Sequence, residues 1–202
     1  MRQSTAGQWA QAEFGHAKLG NALRVQRLVL LAACAARRPA GTVTKVLSGA
    51  AEREGAFRWL ENDHVAAEEV AKASHIATAR RCVAEKFVFM PVDQTSITIT
   101  DRQGQKGLGP AGDRKSKRKR GLQIMSALAV AENGTPVGLC AQSYWARSDT
   151  HSPPAKKDTR PPEERESYHW VRVMRKVRER FDADAPNTRP WFQLDRGGDF
   201  WA

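Results

Sequence analysis

The sequence predicts an α+β chain, with helices first and a mixed sheet after them. Up to about residue 84, apolar residues recur at helical spacing between polar caps. From Phe87 the pattern changes to β-type runs of branched and aromatic residues, beginning with "FVFMPVDQTSITIT". Charge adds a third observation. The 202 residues carry 33 Lys and Arg against 22 Asp and Glu, a net charge of +11. An excess of that size draws polyanions, because each phosphate neutralised releases condensed counterions. Nucleic acid is the first partner class implied, and an anionic membrane surface the second.

The helical part, residues 1–84, opens with "STAGQWAQAEF". Ser4 or Thr5 is the expected N-cap, Trp9 and Ala12 share a face, and Phe14 falls a little off it. Leu19-Gly20-Asn21 breaks this helix and places Asn21 to cap the next, "ALRVQRLVLLAACAARR". Apolar residues at Leu28, Leu31, Ala32 and Ala35 give that segment one inward face. Arg37 and Arg38 occupy its last turn, where positive charge suits the helix dipole, and Pro39 and Gly41 end it. "TVTKVLSGAAEREGAFRWLEN" then predicts a short helix, a turn at Ser48-Gly49 and a second helix through Leu60. That outline resembles a helix-turn-helix, although two short helices joined at a glycine occur in many helical domains. "HVAAEEVAKASHIATARRCVAEK" predicts a longer helix leading out of the module.

Residues 85–202 predict the sheet. After the first strand, "GLQIMSALAVAENGTPVGLCAQSYWAR" reads as two strands joined by an Asn133-Gly134 turn, a strong short-range hairpin signal. "PPEERESYHWVRVMRKVRERF" reads as an amphipathic helix and "RPWFQLD" as the last strand. The order strand, hairpin, helix, strand suggests a mixed sheet with a helix packed across it. Between the first strand and the hairpin lies "GQKGLGPAGDRKSKRKRG", almost entirely basic from Arg114 to Arg120. It is either a solvated or localisation-like patch, or a segment that holds a phosphate backbone. The longest apolar run, Leu28 to Ala36, is too short to span a bilayer, and the N-terminus lacks the apolar core of a signal peptide. A cytoplasmic protein without a membrane partner is expected. Cys34, Cys82 and Cys140 lie far apart, which argues against a zinc site or a disulfide framework.

Two acids stand out. Asp93 and Asp195 directly follow short apolar strands, "FVFMPV" and "WFQL". Neighbouring strand ends in a mixed sheet would bring these side chains together. Two carboxylates held close repel each other unless a proton or a cation intervenes. Mg²⁺ or Mn²⁺ is the natural bridge, and such ions can activate an attacking oxygen in phosphodiester cleavage. Acids after strands are also ordinary turn residues, and Asp199 follows as a secondary or structural acid.

"WAQAEFGHAKLGNALRVQRLVLLAA", followed by "EREGAFRWLEN", resembles the N-terminal DNA-binding domain of bacterial cut-and-paste transposases of the insertion-sequence-four, transposon-five type. Those domains carry a Trp/Phe helix, Leu-Gly-(Asp/Asn), an arginine-bearing helix and a Gly-Ala-(Tyr/Phe)-Arg-Phe-like segment. "VDQTS" is similar to the family's Asp-Thr-Thr/Ser catalytic strand, "ESYHW" to its Glu-Ser-x-Lys-Trp helix start, and "LDRGGDFW" to its Asp-Arg-Glu/Gly-x-Asp strand end. The likeness runs from about Trp9 to the last residue. It implies a ribonuclease-H-like catalytic fold in which two aspartates and a glutamate, the DDE motif, bind Mg²⁺ or Mn²⁺. Asp93 corresponds to the first acid and Asp195 to the second, as both catalytic and metal-binding residues. The implied DNA-binding residues are Arg24, Arg27, Arg37, Arg38, Thr44, Lys45 and Arg58; Lys115, Lys117, Arg118, Lys119 and Arg120 join them as DNA-binding candidates by the basic loop's charge and its place beside the strand that bears Asp93. Arg58 can equally pair with Glu54 or Glu61, and Arg24 and Arg27 can simply keep an outer helix face soluble.

The chain also departs from the family. The family's glutamate lies beyond a β-rich insertion, in a Tyr-Arg-Trp-x-Ile-Glu-like stretch, and this sequence ends before it. Glu163, Glu164 and Glu166 precede Asp195 and so do not take that glutamate's place. Met125 stands where many relatives have a histidine, and Gln94 replaces the threonine that often follows the first aspartate. The expectation is therefore a C-terminally truncated transposase in the bacterial cytoplasm, associated with the nucleoid. It would bind double-stranded DNA at transposon ends, as a homodimer or paired with full-length transposase, with weak metal binding and no strand cleavage. Two alternatives are a stand-alone basic DNA-binding module or transposition inhibitor, and an RNA-associated basic protein. Against the last, the basic loop lacks interleaved aromatics for base stacking.

Overall fold

A computed structural model describes residues 3–104, 106–111, 119–148 and 161–195. The chain divides into two compact units, Met1–Arg81 and Cys82–Ala202. The first is helical and the second is built on a sheet, so the α+β class with helices first holds.

In the first unit, α1 (Gln3–Phe14), α2 (Ala22–Arg37), α3 (Val43–Val46), α4 (Ala50–Leu60) and α5 (Ala67–Arg81) follow one another. α1 starts at Gln3, so Ser4 and Thr5 lie within the helix rather than capping it. Its inward face is Ala6, Ala10 and Glu13, not Trp9 and Ala12. Small side chains let α1 lie close to α2, and the bulky Trp9 stays 44% exposed with its ring edge-on to Phe14 at 6.0 Å. Glu13 is buried, and its carboxylate accepts from the Ser74 hydroxyl at 2.7 Å and from Arg81 at 2.6 Å, both on α5. A buried charge is tolerated only with such partners.

Asn21 caps α2 by accepting from the Leu23 N–H at 2.7 Å. On α2 the buried positions are Leu28 and Ala33, whereas Ala35 faces solvent. Ala17, Leu19, Leu28 and Ala73 form the core, surrounded by Phe14, Val25, Trp59, Val65 and Val70. Trp59 also donates its indole N–H to the Arg24 carbonyl at 2.9 Å, fastening α4 to α2. The Ser48-Gly49 break between α3 and α4 forms as expected. Glu52 accepts from the Gly49 N–H at 3.2 Å, and Arg53 donates to the Leu47 and Ser48 carbonyls at 3.3 and 2.6 Å.

In the second unit, β1 (Phe87–Thr98), β2 (Gly109–Pro110), β3 (Arg120–Val130), β4 (Pro136–Trp145) and β5 (Arg189–Gln193) form one mixed sheet, with α6 (Tyr168–Asp184) before β5. β3 pairs antiparallel with β1, β4 and the short β2; β5 runs parallel to β1. β2, a two-residue strand, has no sequence signal of its own. The β3–β4 hairpin turns at Asn133-Gly134 with Gly134 at φ 84°. Gly134 N–H donates to the Ala131 carbonyl, and Ala131 N–H to the Thr135 carbonyl, both at 2.9 Å. This is a longer loop than the two-residue turn such a dipeptide most often signals.

α6 buries Trp170, Val173, Val177 and Phe181, one stripe at helical spacing, and it contacts β3, β4 and β5. The strands offer Val88, Met90, Val92, Ala127 and Ala129, all buried. Thr188 is also buried and donates its hydroxyl to the Cys82 carbonyl at 2.9 Å, anchoring the entry to β5.

Candidate DNA-binding surface and acid pair

On the helical unit, two of the cations expected to bind DNA are held by the unit's own backbone. Arg24 donates to the Leu19 carbonyl at 2.9 Å and Arg37 to the Ala33 carbonyl at 3.1 Å. The Arg27 guanidinium lies over Gly55 of α4, where an added β-carbon would stand 3.1 Å from its Nη1. Arg58 pairs with Glu54, one of the partners foreseen for it. That pair sits in solvent, with side chains 78% and 63% exposed, so it restrains the guanidinium only weakly. Arg38, Thr44 and Lys45 are exposed around the start of α3, with the Thr44 hydroxyl 3.2 Å from that of Thr42. Arg53 was not foreseen. By bonding both carbonyls of the α3–α4 turn it fixes how Thr44 and Lys45 are carried relative to α4.

In the basic loop, Lys119 is exposed. Arg120 is half-buried and turns inward to donate to the Leu108 carbonyl. Lys115, Lys117 and Arg118 lie outside the described residues, as does Asp199.

On the sheet unit, the parallel ladder sets Phe89 beside Trp191 and Pro91 beside Gln193. The ladder ends at that pair; Asp93 lies two residues beyond Pro91 on β1, and Asp195 two beyond Gln193, just past the end of β5. Alternation along β1 puts Asp93 on the face that carries Phe89, away from α6. Both acids are exposed. Two carboxylates that each follow a shared β1–β5 ladder pair by two residues are hard oxygen donors of the kind that suits Mg²⁺, a cation commonly held by one or two carboxylates plus phosphate oxygens and water. Among the described residues, no group of three or more His, Cys, Asp or Glu is placed to hold a metal.

A row of pairs crosses the sheet from Asp93. Asp93 pairs with Ser126 on β3, and Ser126 pairs with Gln142 on β4. Gln142 Nε2 donates to Ser126 Oγ at 3.1 Å, and the Tyr144 hydroxyl donates to Gln142 Oε1 at 2.5 Å. Tyr144 is 51% exposed, and partial burial raises its phenol above the ordinary value, so it stays protonated. Sequence reasoning missed Gln142 and Tyr144, because cross-strand neighbours emerge only once register is known.

The opposite face carries a separate polar cluster. Gln94 donates to Gln123 at 3.2 Å and to Glu166 at 3.1 Å, and Arg147 donates to Glu166 at 2.9 and 2.6 Å. His169 Nδ1 lies 2.9 Å from the Ser143 hydroxyl, and its ring stacks on Trp145 with centroids 3.6 Å apart. Burial, followed by the cations Arg172 and Lys176 working against Glu166, lowers the His169 pKa to about 4. The departures at Gln94 and Met125 belong to this face. Gln94 braces the start of α6, and Met125 is fully buried.

Residues 6–65 match the family model for the transposase DNA-binding domain. The match spans most of α1 and all of α2, α3 and α4, and it includes every candidate DNA contact of the helical unit. It supports a transposase-related protein with a DNA-binding domain. No helix among the described residues is long and apolar enough to cross a membrane.

Proposed function

We propose that this chain binds the ends of a transposable element through its helical unit and carries, on its sheet unit, two acids of a ribonuclease-H-like metal site. The family match over residues 6–65 carries the reading. Within that stretch, Arg38, Thr44 and Lys45 present the polar, exposed surface around α3 that phosphate contacts need. The turn held by Arg53 gives that surface a fixed geometry.

Asp93 and Asp195 are the residues that would hold Mg²⁺ or Mn²⁺. Such a cation, when bound, would supply activation of an attacking oxygen and stabilisation of a leaving one. Strand hydrolysis and transfer of the freed 3′-hydroxyl need a further ligand beside these two. The helical unit would hold the DNA end, and the acid pair on the sheet unit would supply two ligands of the metal site.

The reading is tested by gel shift of the purified chain on a panel of terminal inverted repeats and scrambled duplexes. One repeat should be preferred, and Arg38→Ala with Lys45→Ala should weaken that binding about fivefold or more. Asp195→Ala should leave it within about twofold. Equal affinity for every duplex, or tighter binding to RNA, removes the end-binding assignment.

A further inference from the structure

We propose that Ser126 is a positioning residue for the Asp93 carboxylate, and that Gln142 and Tyr144 hold Ser126 to that task. The inference rests on the reading of Asp93 and Asp195 as cation-binding acids. Residues directly opposed on antiparallel strands place their β-carbons about 5 Å apart on one face. Asp93 and Ser126 are such a pair, and Ser126 and Gln142 are the next.

The bonds within the row have a direction. Tyr144 gives its proton to Gln142, and Gln142 gives an amide proton to the Ser126 oxygen. A hydroxyl that accepts in this way still has its own proton to give. Directly across the β1–β3 ladder from Ser126 stands the Asp93 carboxylate, which only accepts when ionised. Neighbouring polar groups of the opposite face are engaged elsewhere, Ser143 with His169 and Gln94 with Gln123 and Glu166. The Tyr144–Gln142–Ser126 row is thus directed across the ladder toward Asp93, to which Ser126 would give its proton.

A carboxylate that accepts one hydroxyl proton is fixed in rotation and presents its other oxygen in a constant direction. Partners of this kind behind a metal-binding carboxylate commonly change affinity 10- to 100-fold when removed. The row would thus orient the first acid before any cation or DNA arrives. Lys176, from α6, bonds the Gln142 carbonyl at 3.1 Å, so Gln142 is braced through its main chain as well.

The test is Mn²⁺ binding to the full chain, read as loss of the free-ion electron paramagnetic resonance signal, with thermal melts as the folding control. Asp93→Asn should abolish saturable binding. Ser126→Ala and Gln142→Leu should each weaken it about tenfold, and Ser126→Thr, which keeps the hydroxyl, should restore it to within about threefold of wild type. If Ser126→Ala does not fold, Gln142→Leu reads the same row and leaves β3 untouched. Wild-type affinity in Gln142→Leu and in any folded Ser126→Ala, alongside loss in Asp93→Asn, overturns the positioning role and leaves the acid pair standing. Saturable binding retained by a double Asp93→Asn, Asp195→Asn variant removes the acid pair, and the inference with it.

Discussion

Gly121 occupies a position that no larger residue can take. A β-carbon there would sit 1.8 Å from the Ile97 carbonyl oxygen. That oxygen belongs to β1, where Ile97 pairs with Leu122 and Thr98 with Gly121, so it cannot retreat without opening the ladder. Gly121→Ala should therefore cost about 3 kcal/mol, at the upper end of overpacking penalties. Urea denaturation of the two proteins measures it, and an unchanged midpoint would mean that the strands part there at little cost. Gly55 is the opposite case. Its added β-carbon meets the far end of the Arg27 side chain at 3.1 Å, and a guanidinium tip can swing aside. Glycine inside a helix costs about 1 kcal/mol relative to alanine, so Gly55→Ala should raise the melting temperature slightly. A lower melting temperature would show that Arg27 is held tightly against α4.

At the scale of elements, α6 is set on the sheet by both its apolar stripe and its polar start. His169 lies at that start, stacked on Trp145 and bonded to Ser143. Its pKa in the folded chain is about 4, against an ordinary 6.5. Above pH 6.5 the imidazole is neutral in both folded and unfolded chains and does not disturb their balance. Between 6.5 and 4 the unfolded chain takes up a proton that the folded chain refuses, so stability falls as pH drops through this window. Melts from pH 7 to 4 should show a steeper decline for wild type than for His169→Gln; parallel curves would rule out His169 as the cause. Much of this architecture was legible in the sequence. The change from helical to β spacing near Phe87, the Ser48-Gly49 and Asn133-Gly134 breaks and the amphipathic α6 all rest on local chemistry. What was hidden depends on partners distant in sequence. Glu13 gives no sign of being buried until α5 brings Ser74 and Arg81 to it. Trp9 looks like core by hydrophobicity, yet close packing against α2 favours Ala6 and Ala10. The acids, and their approach at neighbouring strand ends, could be picked out, but the row through Ser126, Gln142 and Tyr144 required the register.

Over the whole molecule, the +11 charge acts on any polyanion, so affinity alone says little about which residues touch DNA. The dependence on salt is more discriminating. For duplex DNA the slope of log affinity against log salt is about −0.9 for each phosphate contacted. A residue that only adds to the general field shifts affinity with little change in slope, whereas one that neutralises a phosphate takes about 0.9 off it. Arg38 and Lys45 are exposed and belong to the stretch that matches the DNA-binding family, so each substitution by alanine should reduce the slope by about that amount. Arg120 is turned in toward Leu108, and Arg120→Ala should leave the slope unchanged even if the fold loosens. Arg58 separates two readings of one residue. If its guanidinium stays with Glu54, Arg58→Ala changes nothing, because an exposed pair has little to lose. A loss of one contact's worth of slope would show that DNA outcompetes Glu54. Filter-binding titrations of the preferred repeat between about 50 and 200 mM salt measure all four variants. Unchanged slopes for both Arg38→Ala and Lys45→Ala would take the phosphate-binding surface away from α3 and its approach.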